Sequence, residues 1–137
     1  MVYVCSPYAT GNVQENVERA REYCKLVLQE GFIPVAPHLI YPQFLCDEDE
    51  SEREQGLACG LALLEVCAEV WVFGDPGRSE GMQREIAYAN EKEIPVLKFD
   101  ALRPGAEENG RIVSLTRIIY KMLGIDRKRT ENDVLSI

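Results

Sequence analysis

A chain of 137 residues, 46% hydrophobic and 28% charged, has the length and balance of one ordinary globular domain, which excludes a disordered or fibrous protein over most of its length. The net charge is -8, and six acids face the single base Arg53 in CDEDESERE at 46–54. Such a surface repels phosphate backbones and anionic bilayers, so a small molecule is the expected partner, with no duplex nucleic acid and no membrane.

The apolar run VYVC at 2–5 is the first predicted strand, and it starts without a basic leader. The most apolar window, 56–74, is interrupted by Glu65 and Glu69, so no membrane span is expected and the protein is placed in the cytoplasm. Cys5, Cys24, Cys46, Cys59 and Cys67 show no C-x-x-C spacing and read as reduced thiols. With His38 as the sole histidine, neither a metal nor another cofactor is expected.

SPYATGN, with Pro7 and Gly11, reads as a loop after the first strand. Val13, Val17, Ala20, Cys24 and Val27 then recur at helical spacing, with Asn12 as N-cap, Glu15 completing a capping box and Gly31 as the stop. FIPVAP at 32–37 is the second predicted strand; Pro34 removes a ladder donor and assigns it to an edge. The apolar segment 38–46 is irregular. Leu57, Leu61, Leu64 and Ala68 step by four, three and four, predicting a second helix from near 50.

EVWVFG, from 69, follows directly. Val70 and Val72 face one side and Trp71 and Phe73 the other, so this third strand is predicted to be central, with helices on both faces. A helix starts near Gly81 with Met82, Ile86 and Ala89 inward, and IPVLKFD at 94–100 is the fourth strand. NGRIVSLTRIIYKMLG at 109–124 is a last helix closing one domain over 1–124; the polar 125–137 is a tail or an arm on a partner subunit. Alternating strands and helices imply an α/β three-layer sandwich with a mostly parallel central sheet, flavodoxin- or Rossmann-like, whose ligands lie beyond the carboxyl ends of the strands.

The loops after strands one and three, SPYATGN and GDPGRSEGM, emerge at that end. Neither G-x-G-x-x-G nor G-K-[ST] is present, so no dinucleotide or Walker loop is read. Each loop instead offers a hydroxyl and a glycine beside the free amides of a helix start: Ser6 and Gly11 in the first, Ser79 and Gly81 in the second, with Met82 next. That suits a phosphate or sugar hydroxyl, although Ser79 serves equally as a plain N-cap. Glu85, one position before inward-facing Ile86, falls on the margin of the buried face near the helix start, where the dipole favours its ionised form. A half-covered carboxylate there has the character of a nucleophile toward a sugar carbon; a solvated surface glutamate is the plainer alternative. Tyr8 and Asp75 are candidate accessories for orienting it or moving a proton, with loop packing and turn formation before Pro76 as their plain roles. His38 lies at the end of the second strand, within reach of the same pocket.

These loops carry a resemblance. With VYVCSPYA, AEVWVFGD and SEGMQREIAYA in this order, the chain over about residues 1–100 resembles the nucleoside 2-deoxyribosyltransferase-like superfamily, which includes the nucleoside 5′-phosphate N-hydrolases and small uncharacterised bacterial and phage proteins. Ser79, Gly81 and Glu85 match its S-x-G-x-x-x-E spacing, and PH at 37–38, WVFG at 71–74 and S-x-G-M-x-x-E-I at 79–86 match the uncharacterised branch. The resemblance implies a glutamate that attacks the anomeric carbon, as in a retaining glycosidase. Glu85 takes that role by this likeness, with Tyr8 orienting it and Ser79 and Gly81 holding the sugar 5′ end or its phosphate; a homodimer or larger homo-oligomer is implied as well. The active enzymes carry a second acid at the position aligned here with Leu61, from which Glu65 and Glu69 are displaced. Two readings follow: an enzyme cleaving or transferring N-glycosidic bonds of nucleosides or nucleotides, and a non-catalytic nucleotide-binding module.

Overall fold

The computed structural model describes residues 1–99. The predicted helix at 109–124, the domain boundary at 124 and the polar tail lie outside them. Four strands, β1 (Val2–Cys5), β2 (Pro34–Val35), β3 (Glu69–Val72) and β4 (Val96–Lys98), form one sheet in the order β2-β1-β3-β4. Every pairing is parallel, with Val2 opposite both Pro34 and Glu69, and Val70 opposite Val96. The three main helices are α1 (Val13–Gln29), α2 (Glu50–Glu65) and α3 (Glu80–Glu91).

The α/β architecture is the expected one, and its layers follow from the strand faces. Val2, Val4, Trp71 and Phe73 pack with Tyr23, Leu26 and Val27 of α1 on one side of the sheet. Tyr3, Cys5, Val70 and Val72 pack with Leu64, Met82 and Ala89 of α2 and α3 on the other. The central place of β3 is that of a strand with two apolar faces. Pro34 sits on the edge strand, where its missing N–H breaks no ladder.

Three expectations shift in detail. β2 is only two residues long, and the segment after it winds into single turns at Pro37–Leu39 and Tyr41–Gln43. Asn12 caps α1 by accepting from the Glu15 amide at 3.1 Å, but the buried face is rotated from the apolar stripe: Asn16, Ala20, Tyr23, Leu26 and Val27 are covered while Val13 is exposed. Burial of Asn16 explains that rotation, because its amide group has partners in the neighbouring loop. In α2 only Gly60 and Leu64 are fully buried, and Ala68 falls outside the helix. All five cysteines are free thiols. Among the described residues no helix is long and apolar enough to cross a membrane.

Candidate functional site

Strand β1 continues through α1 to β2 on one side of itself, while β3 lies on its other side, so the chain reverses its winding between β1 and β3. A crevice at the carboxyl end of such a pair is the usual ligand position of open α/β sheets. A cavity of about 400 Å³ lies there, within the range of small-molecule sites. The loops after β1 and β3 form part of its wall, and α2, the turns at 37–43 and the start of α3 form the rest.

The two loops are locked by specific bonds. The Asn16 side chain donates to the carbonyls of Tyr8 at 2.8 Å and Thr10 at 2.7 Å, and the Thr10 hydroxyl donates to the Arg78 carbonyl at 3.1 Å. Gly74 leaves β3 with φ +84, and a Cβ there would lie 3.2 Å from the Pro7 ring. Both the left-handed backbone and the close approach require glycine. Gly74→Ala is expected to destabilise the protein by about 1–2 kcal/mol, read as a lower urea midpoint at unchanged slope; an unaltered midpoint would contradict this account of the loop contact.

Glu85 lies in the second turn of α3 and lines the cavity. Its Oε1 accepts from the Tyr3 hydroxyl at 2.9 Å, across 82 positions of sequence. Tyr3, in the middle of β1, is 1% exposed and points through the α2/α3 side of the sheet. Gly60 of α2 lies beside the phenol, and a Cβ there would be in van der Waals contact with its oxygen at 3.4 Å. Burial raises the Glu85 carboxyl from 4.5 to about 7, partly offset by the neighbouring Cys5 thiol, whose own hydrogen bond goes to the Met82 carbonyl, and by the hydrogen bond from Tyr3. This corrects the expectation that the helix dipole keeps it readily ionised: the dipole fades beyond the first turn, and desolvation prevails. Tyr3 itself is pushed well above its ordinary range, by burial first and by the adjacent Glu85 charge second.

The other expected residues divide. Ser6, Tyr8, His38, Ser79, Gly81 and Met82 line the same cavity as Glu85. The Ser6 hydroxyl and His38 Nε2 are 2.9 Å apart, and burial lowers the imidazole to about 4, so it is neutral at physiological pH. Ser79 is both a cavity residue and the N-cap of α3, its hydroxyl accepting from the Met82 amide at 3.3 Å. Tyr8 stands at the wall, but the hydroxyl on Glu85 is that of Tyr3; this is a correction to the orienting role expected for Tyr8.

Asp75 and Gly11 are not brought to the cavity. The Asp75 carboxylate accepts from the Gly77 amide at 2.9 Å and faces Arg78 at 3.9 Å, closing its own turn before α3. Gly11 serves the backbone, with φ +80 and open space where a Cβ would stand. Tyr3 and Asn16 are the residues that sequence reasoning passed over. One was hidden in an apolar run and the other between charged helix positions. Among the described residues no group of three His, Cys, Asp or Glu is placed to hold a metal ion.

The family described as a domain of unknown function (DUF7768) matches residues 1–99. Among solved structures, the chain is similar to a 2-deoxyribosyltransferase from Bacillus psychrosaccharolyticus at 16% identity and a TM-score of 0.58, covering 96% of this chain and 90% of that one. At that identity the likeness establishes the shared fold. No curated protein sequence matches.

Proposed function

The chain belongs to the DUF7768 family, and we propose that it cleaves or transfers the N-glycosidic bond of a nucleoside or nucleoside monophosphate, with Glu85 as nucleophile. The observation that carries this reading is a partly buried carboxylate at a cavity wall, held by a buried tyrosine at 2.9 Å. Fixed orientation spares the nucleophile a search of rotamers, and partial desolvation strengthens it toward an oxocarbenium-like carbon. In the first step an Oε–C1′ bond forms as the C1′–N bond breaks, its electron pair leaving with the base. Water or a second base then attacks C1′, the pair of the Oε–C1′ bond returns to Glu85, and the one proton lost by the attacking molecule balances the one taken up, through solvent, by the departed base. Ser79, Gly81 and the free amides at the start of α3 suit the sugar 5′ end or its phosphate.

Only the ionised carboxylate attacks, so kcat/KM falls tenfold per pH unit below the apparent pKa near 7. Tyr3→Phe removes a bond that favours the ionised form, so the acid limb moves to higher pH and kcat drops by about 10–100-fold. A pH–rate profile of this variant with an unmoved limb would remove Tyr3 from the account. The decisive assay incubates the protein with deoxyribo- and ribonucleosides and their monophosphates and measures free base. Release that disappears in Glu85→Gln supports catalysis. Tight binding by calorimetry without release supports the alternative, a nucleotide-binding module, a reading favoured by the apolar Leu61 in the cavity wall.

A further inference from the structure

Helix α2 flanks the cavity over several turns. Glu52, Gly56 and Gly60 recur at every fourth position, so they share one helix face, and all three line the cavity. At the inner end of that face, Gly60 lies beside the Tyr3 oxygen that holds Glu85 at 2.9 Å. Glu52 stands two further steps toward the start of the helix, about 12 Å along its axis. Because α2 leads at its other end into the start of β3, its first turn lies at the carboxyl end of the sheet. Glu52 therefore marks the outer end of the cavity, away from the carbon that Glu85 would attack.

That outer end combines apolar walls with one fixed acceptor. Leu45 and Tyr41 line it and stand over Gly56, where a Cβ would meet them at 3.5 and 4.0 Å. Of the lining carboxylates other than Glu85, Asp47 and Glu80 are exposed, and Glu52 alone is half-buried. Its Oε2 accepts from the Cys46 amide at 2.9 Å, which ties the side chain to the turn that carries Tyr41 and Leu45. Among the described residues the second oxygen, Oε1, has no hydrogen-bond partner. An ionised carboxylate only accepts, so that oxygen calls for a donor from whatever fills the cavity.

Resting on the nucleoside reading above, we infer that Glu52 reads the base, and that the substrate is a nucleoside or nucleotide with an amino group on the base edge far from the sugar, as in cytosine or adenine. The amine N–H satisfies the free oxygen of Glu52. A keto oxygen in the same place sets acceptor against acceptor and strips water from the carboxylate without replacing its bond, so uracil and hypoxanthine are refused. Arg53 also lines the cavity and would favour the keto group, but it is exposed and turned about 100° around the axis from Glu52. The other lining cations, Arg78 and Arg84, face Asp75 and Glu54 at 3.9 and 3.7 Å. Glu52 thus sets specificity and takes no part in breaking the bond.

The test measures binding by calorimetry to the Glu85→Gln protein, which holds a nucleotide without consuming it. Deoxycytidine monophosphate is compared with deoxyuridine monophosphate, and deoxyadenosine monophosphate with deoxyinosine monophosphate, so each pair exchanges an amino for a keto group. The expected result is binding of the amino member tighter by about tenfold or more in every pair that binds. The preference falls to roughly twofold or less when Glu52→Gln is added, because that side chain still accepts from Cys46 but offers a donor to the keto group as well. Equal binding within a pair, a keto preference of the kind Arg53 would give, or an amino preference that survives Glu52→Gln overturns this inference. Base release by the wild type that is lost in Glu85→Gln then leaves the glycosidic reading standing. Binding of none of the four nucleotides also overturns the inference, and if the wild type releases no base either, the glycosidic reading falls with it.

Discussion

Glu85→Gln is expected to abolish the proposed base release, by roughly three orders of magnitude or more in kcat, and at the same time to yield a protein more stable than the original above pH 7. The two effects share one cause. The folded protein holds this carboxyl at about 7 against an ordinary 4.5 because of burial. A carboxyl raised in the folded state contributes fully below its unfolded pKa, and that contribution is lost as pH rises through the folded value. At pH 8 the ionised group therefore costs about 1–3 kcal/mol, the lower figure allowing for its partial exposure. The amide of glutamine keeps an acceptor for the Tyr3 hydroxyl and carries no charge to desolvate. A melting temperature higher by roughly 2–10 °C at pH 8, and unchanged near pH 4, is the expected signature. Equal melting at pH 8 would mean that the carboxylate is not desolvated, and the role proposed for it as a tuned nucleophile would fall with it.

Trp71→Ala is the substitution expected to harm the fold most, costing about 3–5 kcal/mol. Trp71 is fully buried in the central strand, with Phe32 edge-on at 5.5 Å and Phe99 at 5.0 Å, and its indole N–H donates to Glu69 at 2.9 Å. Truncation empties that space and takes a hydrogen bond from a buried carboxylate. Because Trp71 is the only tryptophan, unfolding of the variant is followed by far-ultraviolet circular dichroism in urea. Trp71→Phe separates the contributions: it preserves most of the ring packing and loses the N–H, so its midpoint falls between the other two. A Trp71→Ala midpoint within error of the wild type would refute the packing of β3 described above.

Elements whose cause is local are legible in the residues alone. Strand and helix alternate because the hydrophobic period alternates, and β3 is central because Trp71 and Phe73 oppose Val70 and Val72. Pro34 assigned β2 to an edge through one missing donor, and the caps at Asn12 and Ser79 were readable from residue type and spacing alone. The approach of the two loops also followed, since parallel strands send their following loops to one end of the sheet. The pairings between distant residues come instead from the packing of the whole fold. That Tyr3, not Tyr8, meets Glu85 depends on the register of β1 against β3 and on how α3 seats over them, and a one-residue slip in a strand would turn Tyr3 to the other face. The same holds for the rotation of α1 toward Asn16, for the neutral pair of Ser6 and His38, and for the diversion of Asp75 into its own turn. Periodicity reports which residues are apolar along one element; burial of a charge, and hence the pKa of Glu85, is set by neighbours that several elements bring together.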